Sequence, residues 1–272
     1  MIKQYLKDAA AYLWGGWGAA SALLLFVALW EYGHQLFDST LILPSPIQTM
    51  HAVKELYDEG IAVPASIITA KRAMIGFFMA AGAGTVLGIT AGLSMTAARA
   101  MRPIVTVMLG IPPITWVVLA IMFLGMGGGS AIFTVVVTTL PITFAGAMMG
   151  THTLDQGLRD MARTYGTPFG MMLWDVHLPH VLSYLFPAWV TGLGMAWKIT
   201  VMGELLSTTD GIGGEMALTR ISMDTAGTLA LLVCVLGMLM AVEYLLLEPM
   251  QRKMEPWRSQ SGQGNFNTPK GF

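Results

Sequence analysis

Charged side chains are scarce: Lys, Arg, Asp and Glu make up 11% of the 272 residues, against 54% hydrophobic ones. A soluble globule spends about a quarter of its residues on charge, so a mean hydropathy of +0.62 places this chain in a lipid bilayer. Thiols are scarcer still. Cys234 is the one cysteine, which excludes a disulfide framework and a thiolate metal centre and leaves it as a packing residue. His177 and His180 flank Pro179 without further ligands nearby, and the 22 methionines show no clustering, so no metal site is expected. The net charge of −1 offers no basic surface for nucleic acid. No Gly-rich phosphate loop followed by Lys and Ser or Thr occurs, so the chain cannot hydrolyse ATP by that route alone, and Gly125 to Gly129 reads as a tight external turn. His, Asp or Ser groups that would converge into a membrane-embedded enzyme site are missing too.

What is present is apolar length. A bilayer core needs about 20 apolar residues per helix, and six stretches reach it: 17–37, 65–94, 102–124, 130–150, 183–206 and 226–247. They predict an all-α membrane protein with six transmembrane helices in one domain over 17–250, after a cytoplasmic N-terminus at 1–16 and before a flexible cytoplasmic tail at 251–272. Lys3 and Lys7 precede the first stretch as in a signal peptide, but the stretch runs on to Phe37 without a clear cleavage site and is expected to stay as a helix. Leu43-Pro44-Ser45-Pro46 cannot lie inside a helix, and Ile47 to Tyr57 fits a short amphipathic one. With the N-terminus in the cytoplasm, Lys3, Lys7, Arg99, Arg102, Arg159, Arg163, Arg252, Lys253, Arg258 and Lys270 fall inside, ten of the fifteen cations. Lys54, Lys71, Arg72 and Arg220 fall outside. Lys71 and Arg72 sit some seven residues into the second stretch, which requires a later helix start or side chains that snorkel to the interface.

Small residues recur every fourth position in two stretches: Gly76, Ala80, Gly84, Gly88 and Gly92, then Ala188, Gly192, Ala196 and Thr200. Such stripes let helix backbones approach closely in lipid. Pro112 and Pro113 must kink or break the third stretch, either to line a path or as a structural bend. Lys198 and Glu204 lie within the fifth stretch, where a central charge costs about 2.5–3.5 kcal/mol. Six residues apart, they point roughly 240° from each other. Lys198 shares a face with Thr191, Gly194 and Val201, opposite the small-residue stripe, and is the candidate for bordering a permeation cavity that attracts an anion; a lysine paired across helices and a snorkelling lysine are the alternatives. Glu204 reads first as a contact to the Thr208–Gly214 loop and second as a path residue. Glu243 is expected at the internal interface.

The internal loop at 152–182 carries the most specific pattern. Leu154, Leu158, Met161 and Tyr165 recur at helical spacing, Gly166 suits a left-handed helix end, and Thr167-Pro168 opens a second helix that Leu178-Pro179 is expected to break. Met161, Tyr165, Phe169, Met171 and Met172 supply an apolar docking face. Asp160-Met161-Ala162, three residues, Gly166, nine residues, then Val176-His177-Leu178-Pro179 resembles the EAA signature of ABC importer permeases, with Asp for Glu and Met for Ala at its start. Leu43-Pro44-Ser45-Pro46, Ala65-Ser66 to Gly76-Phe77, Ile111-Pro112-Pro113, and Ala196-Trp197 to Glu204-Leu205 with Gly211-Ile212-Gly213 resemble the subgroup that imports nitrate, sulfonates, taurine, bicarbonate or thiamine-pyrimidine precursors.

The resemblance implies a type I importer permease fold in a bacterial inner membrane, with both termini cytoplasmic and no catalytic group or cofactor of its own. It implies two partner ATPase subunits holding ATP and Mg, contacted by a coupling helix through Asp160, Met161, Ala162, Tyr165, Gly166, Phe169, Leu178 and Pro179. It also implies a second permease copy or a related permease, an external substrate-binding protein, and as cargo a small organic or inorganic anion such as a sulfonate, nitrate or bicarbonate. An ion-coupled secondary transporter is the alternative raised by the broken third helix, Lys198 and Glu204, although no internal repeat supports it.

Overall fold

The computed structural model describes residues 21–37, 39–153, 157, 161 and 164–242, all helical or in turns, with no strand among them. The expectations for 1–16, for Asp160, Ala162 and Glu243, and for the tail at 251–272 lie outside the described residues. Two compact units are formed, Met1–Val63 with Leu218–Cys234, and Pro64–Ala217 with Val235–Phe272.

In the first unit, α1 (residues 21–37) is followed by a turn and by α2 (Pro46–Asp58). The prolines of Leu43-Pro44-Ser45-Pro46 carry no amide donor, and its carbonyls are taken up by side chains instead. Trp30 Nε1 donates to Pro44 O at 2.9 Å, His34 Nδ1 to Leu43 O at 2.7 Å, and Thr225 Oγ1 to Leu41 O at 2.6 Å. Ser45 then caps α2 reciprocally with Gln48: the Gln48 amide donates to Ser45 Oγ at 3.1 Å and the Ser45 amide to Gln48 Oε1 at 2.9 Å. Gly60, at φ 73°, ends α2 and turns the chain into α3. On the other segment of this unit, Asp224 Oδ1 accepts from the Gly227 amide at 2.9 Å and caps α10 (Thr225–Val242).

The second unit is built around α6 (Gly128–His152). Against it lie α3 (Ala62–Gly92), α4 (Met95–Gly110), α5 (Pro113–Leu124) and α8 (Leu178–Ser207). The short α7 (Phe169–Met172) precedes α8, and α9 (Gly211–Ile221) follows it. The glycine stripe of α3 faces α6: a Cβ at Gly76 would fall 2.7 Å from Val135 Cβ, one at Gly92 2.6 Å from Thr151 Cβ, and those at Gly84 and Gly88 would meet Thr143 and the Phe144 carbonyl. From the other side, a Cβ at Gly192 would fall 2.9 Å from Thr139 Cγ2, and Ala196 is fully buried. Backbones this close exclude lipid and maximise dispersion contact, which is what holds helices together where burial of apolar area gains nothing. Most of the buried hydroxyls along α6 are satisfied within the protein, Thr134 on Ser130 O at 2.8 Å, Thr138 on Thr134 O at 2.6 Å, and Thr143 on both Leu140 O and Ala80 O at 3.0 Å, while Thr139 Oγ1 is buried without a partner among the described residues.

Three described helices are long and apolar enough to cross a membrane, α3, α6 and α10, and α4 with α5 makes one further pair bent by 91°. The stretch 102–124 is therefore no single straight span. Ile111 and Pro112 each precede a proline, which bars the helical region to both, and their ψ values of 125° and 137° mark the break. α8, at 30 residues, is long enough to span, about 45 Å at 1.5 Å per residue.

Gly88→Ala is expected to lower stability by about 1–3 kcal/mol through overpacking against α6. Gly82→Ala, with nothing within 4 Å of the added Cβ, is expected to leave the melting temperature in detergent unchanged; equal effects of the two would contradict the packing.

Candidate functional site

Two charged side chains of α8 have opposite surroundings. Glu204 has no solvent exposure. Arg72 Nη1 reaches Glu204 Oε1 at 2.9 Å, Thr69 Oγ1 donates to Oε2 at 2.7 Å, and the Gly213 amide donates to Oε2 at 3.2 Å. The Arg72 fork continues outward, with Nη2 on Asp210 Oδ1 at 2.8 Å and Oδ2 at 2.9 Å, and Nη1 on the Asp210 carbonyl at 3.2 Å. Thr69 relays the network by accepting from the Ile212 amide at 2.8 Å. Gly211, at φ 80°, and Gly213 bring backbone amides up to the carboxylate; a Cβ at Gly211 would fall 2.5 Å from Glu204 Oε1.

Glu204, read first as a contact to the Thr208–Gly214 loop and second as a path residue, accepts from Arg72 and Thr69 of α3 and from the Gly213 amide of that loop. Arg72 departs from expectation. α3 begins at Ala62, ahead of the predicted start, and Arg72 neither lies before the helix nor snorkels, because a buried carboxylate on α8 is its counter-ion. Reading the chain helix by helix missed Arg72, Thr69 and Asp210 as partners of Glu204. The available signal was that two opposite charges on different spans, each costly alone, have most to gain from one another.

Lys198 lies on the other side of α8. It is exposed, and no hydrogen bond or ion pair reaches it among the described residues. Thr191 is also exposed, its hydroxyl bonded to Pro187 O at 2.9 Å, and Gly194 has nothing within 4 Å of an added Cβ. Gly192, Ala196, Ile199, Thr200 and Gly203, by contrast, are buried on the opposite face. Lys198, Thr191 and Gly194 therefore share a face that the described residues leave largely uncovered. Pro112 and Pro113 shape the α4–α5 bend, and no hydrogen bond ties them to Lys198.

In the loop before α8, the Tyr165 amide donates to Met161 O at 3.1 Å, closing a helical turn, and Gly166 follows at φ 65°. Met161, Tyr165 and Met171 are exposed, as is Trp174, which the sequence reading passed over although it lies three residues beyond Met171. The expected break at Leu178-Pro179 does not occur. The Leu173–His177 segment is a π-turn, His177 and Leu178 keep helical φ and ψ, and the chain enters α8 without interruption. The wide turn absorbs Pro179, which has no amide to donate and whose ring would otherwise press on the carbonyl four residues earlier. Asp160 and Ala162 lie outside the described residues.

Arg72→Met should destabilise the protein by about 3–5 kcal/mol by leaving Glu204 buried and unpaired, and the double variant Arg72→Met with Glu204→Met should recover part of that loss. Thermal unfolding in detergent measures both; a double variant no more stable than the single one would show that the pair is not the source.

A family model described as binding-protein-dependent transport system inner membrane component matches residues 84–259. The chain is 25% identical over 248 residues to a taurine transport system permease protein of Escherichia coli (strain K12), covering 87% of this chain and 88% of that protein. It is 28% identical over 204 residues to a nitrate import permease protein of Synechocystis sp., covering 71% and 73%. Among solved structures it is similar to a methionine ABC transporter in inward facing conformations, at TM-score 0.57 and 19% identity over 70% of this chain and 92% of that one. An amino acid ABC transporter gives TM-score 0.60 at 14% identity, over 73% and 97%. These two likenesses bear on the fold alone, an ABC importer permease architecture. With the family model spanning well over half of its length, the chain belongs to the binding-protein-dependent transport system inner membrane components, the membrane permease subunits of ABC importers.

Proposed function

We propose that this permease passes a small anion, a sulfonate, nitrate or a similar solute, and that Lys198 borders its path. The observation that carries the reading is the exposed, unpaired Lys198 on the open face of α8. It lies nine residues from the helix end at Ser207, about 14 Å along the axis, too deep for lipid contact without large cost. A second permease subunit, an identical copy or a relative, would close that face around water, and the cation would attract anions there. The relatives named for taurine, nitrate and aliphatic sulfonates transport agree with a small anionic cargo.

The energy comes from outside the chain in this reading. Two ATPase subunits hold ATP and Mg and dock on the segment from Asp160 to Pro179, where Met161, Tyr165, Gly166, Phe169, Leu178 and Pro179 form the contact. Exposed apolar side chains at Met161, Tyr165 and Met171 support a docking role, and the unbroken passage from the π-turn into α8 gives a direct mechanical route from that contact to the helix that carries Lys198. An external binding protein delivers the solute, and both termini lie in the cytoplasm.

Lys198→Met in the reconstituted importer is expected to reduce anion uptake about tenfold with assembly intact, while Lys198→Arg retains most of it. Normal uptake by Lys198→Met would refute the path role. Gly166→Val, which forces a β-branched residue to φ 65°, should uncouple: ATPase subunits still co-purify, yet hydrolysis no longer responds to loaded binding protein. A fully responsive Gly166→Val complex would place coupling elsewhere.

A further inference from the structure

The first unit contains an open groove of about 460 Å³ that transport does not explain. Its walls are Val27 and Trp30 of α1, Pro46, Ile47, Thr49 and Met50 of α2, and Val233 of α10, with His51 and Lys54 at α2 as its only ionisable lining residues. The groove is built rather than incidental. Trp30 and His34 clamp α1 to the proline turn, the Ser45–Gln48 box fixes where α2 starts, and Thr225 ties the N-terminus of α10 to Leu41.

Val27 lies ten residues from Phe37 along α1 and Val233 eight residues from Thr225 along α10, about 15 and 12 Å from those positions. His51 and Lys54 are three residues apart, hence on one face of α2, and both are exposed. Glu55 and Asp58 of α2 and Glu59 just after it do not line the groove, and no carboxylate among the described residues forms an ion pair with Lys54.

We infer that this groove binds one anionic phospholipid, its acyl chain between α1, α2 and α10 and its phosphate at Lys54 and His51. The volume lies within the range of about 300–1,000 Å³ that small-molecule sites occupy. An apolar trough whose polar lining includes Lys54 and His51 matches an amphiphile with an apolar chain and an anionic headgroup. The Trp30 indole, with its N–H occupied by Pro44 O, presents an apolar ring at the interface, where tryptophan is favoured.

Native mass spectrometry of the full-length chain in detergent tests this with phosphatidylglycerol and phosphatidylcholine as probes. The wild type should retain one phosphatidylglycerol per chain and phosphatidylcholine about tenfold less, and Lys54→Gln with His51→Gln should abolish the preference. Equal retention of the two lipids by the wild type, or an unchanged preference in the double variant, overturns the site. Photo-crosslinking in phosphatidylglycerol vesicles from Met50→p-benzoyl-phenylalanine, at an exposed lining position, reads the occupant directly. A lipid adduct supports the inference, while a crosslinked pair of chains would show that a second copy fills the groove. Neither measurement involves transport, so the outcome is independent of the role of Lys198.

Discussion

A carboxylate without solvent exposure, less than one turn from the end of a long apolar helix, constrains everything near it. Glu204 cannot ionise in hydrocarbon alone, and it cannot be left with unfilled lone pairs. Its position is tenable because a guanidinium arrives from α3, a hydroxyl arrives from one turn earlier on the same helix, and an amide arrives from the first turn of α9. Those three donors lie up to 135 residues from Glu204 in sequence. Satisfying one side chain therefore sets the height of α3 against α8 and folds Gly211–Gly214 down onto both. Glycines at the start of α9 follow from the same demand, since a side chain at Gly211 would occupy the space of the carboxylate and one at Gly213 would meet the α8 backbone and Glu204 Cβ.

With that end of the bundle held, the glycine stripe of α3 runs down α6 at backbone contact, and the stripe of α8 meets α6 from the other side. The two kinds of restraint differ in character. Polar ties near one end are few, directional and expensive to break, whereas glycine packing is spread along the helices and tolerates small sliding. A permease that changes conformation needs elements that move as bodies, and polar pins combined with smooth helix faces provide them.

Much of this was legible from residues alone, and the exceptions share a cause. Gly76, Gly84, Gly88 and Gly92 announced a close-packed face because their period is local to one helix. Pro112-Pro113 announced a break because consecutive prolines restrict the residues before them whatever the surroundings. Leu178-Pro179 misled, since whether a proline interrupts a helix depends on whether the preceding turn can widen, and the Leu173–His177 π-turn is visible only in three dimensions. Arg72 looked misplaced for a related reason. Its partner is 132 residues away, and no periodicity within a single helix reports a pairing across two.

The contrast between Glu204 and Lys198 then becomes the informative feature of α8. Both are charges that a membrane penalises, both sit on one helix, and about 240° separates them. The fold supplies Glu204 with a complete set of partners, drawing on Arg72, Thr69 and Gly213 to do so. It supplies Lys198 with none among the described residues, although the cost of leaving a cation bare within an apolar span is of the same order. A chain able to neutralise one intramembrane charge so thoroughly does not leave the other exposed for want of means. No described residue pairs with Lys198, and in the proposed reading water, a second subunit and a passing anion all meet it on the same face of α8.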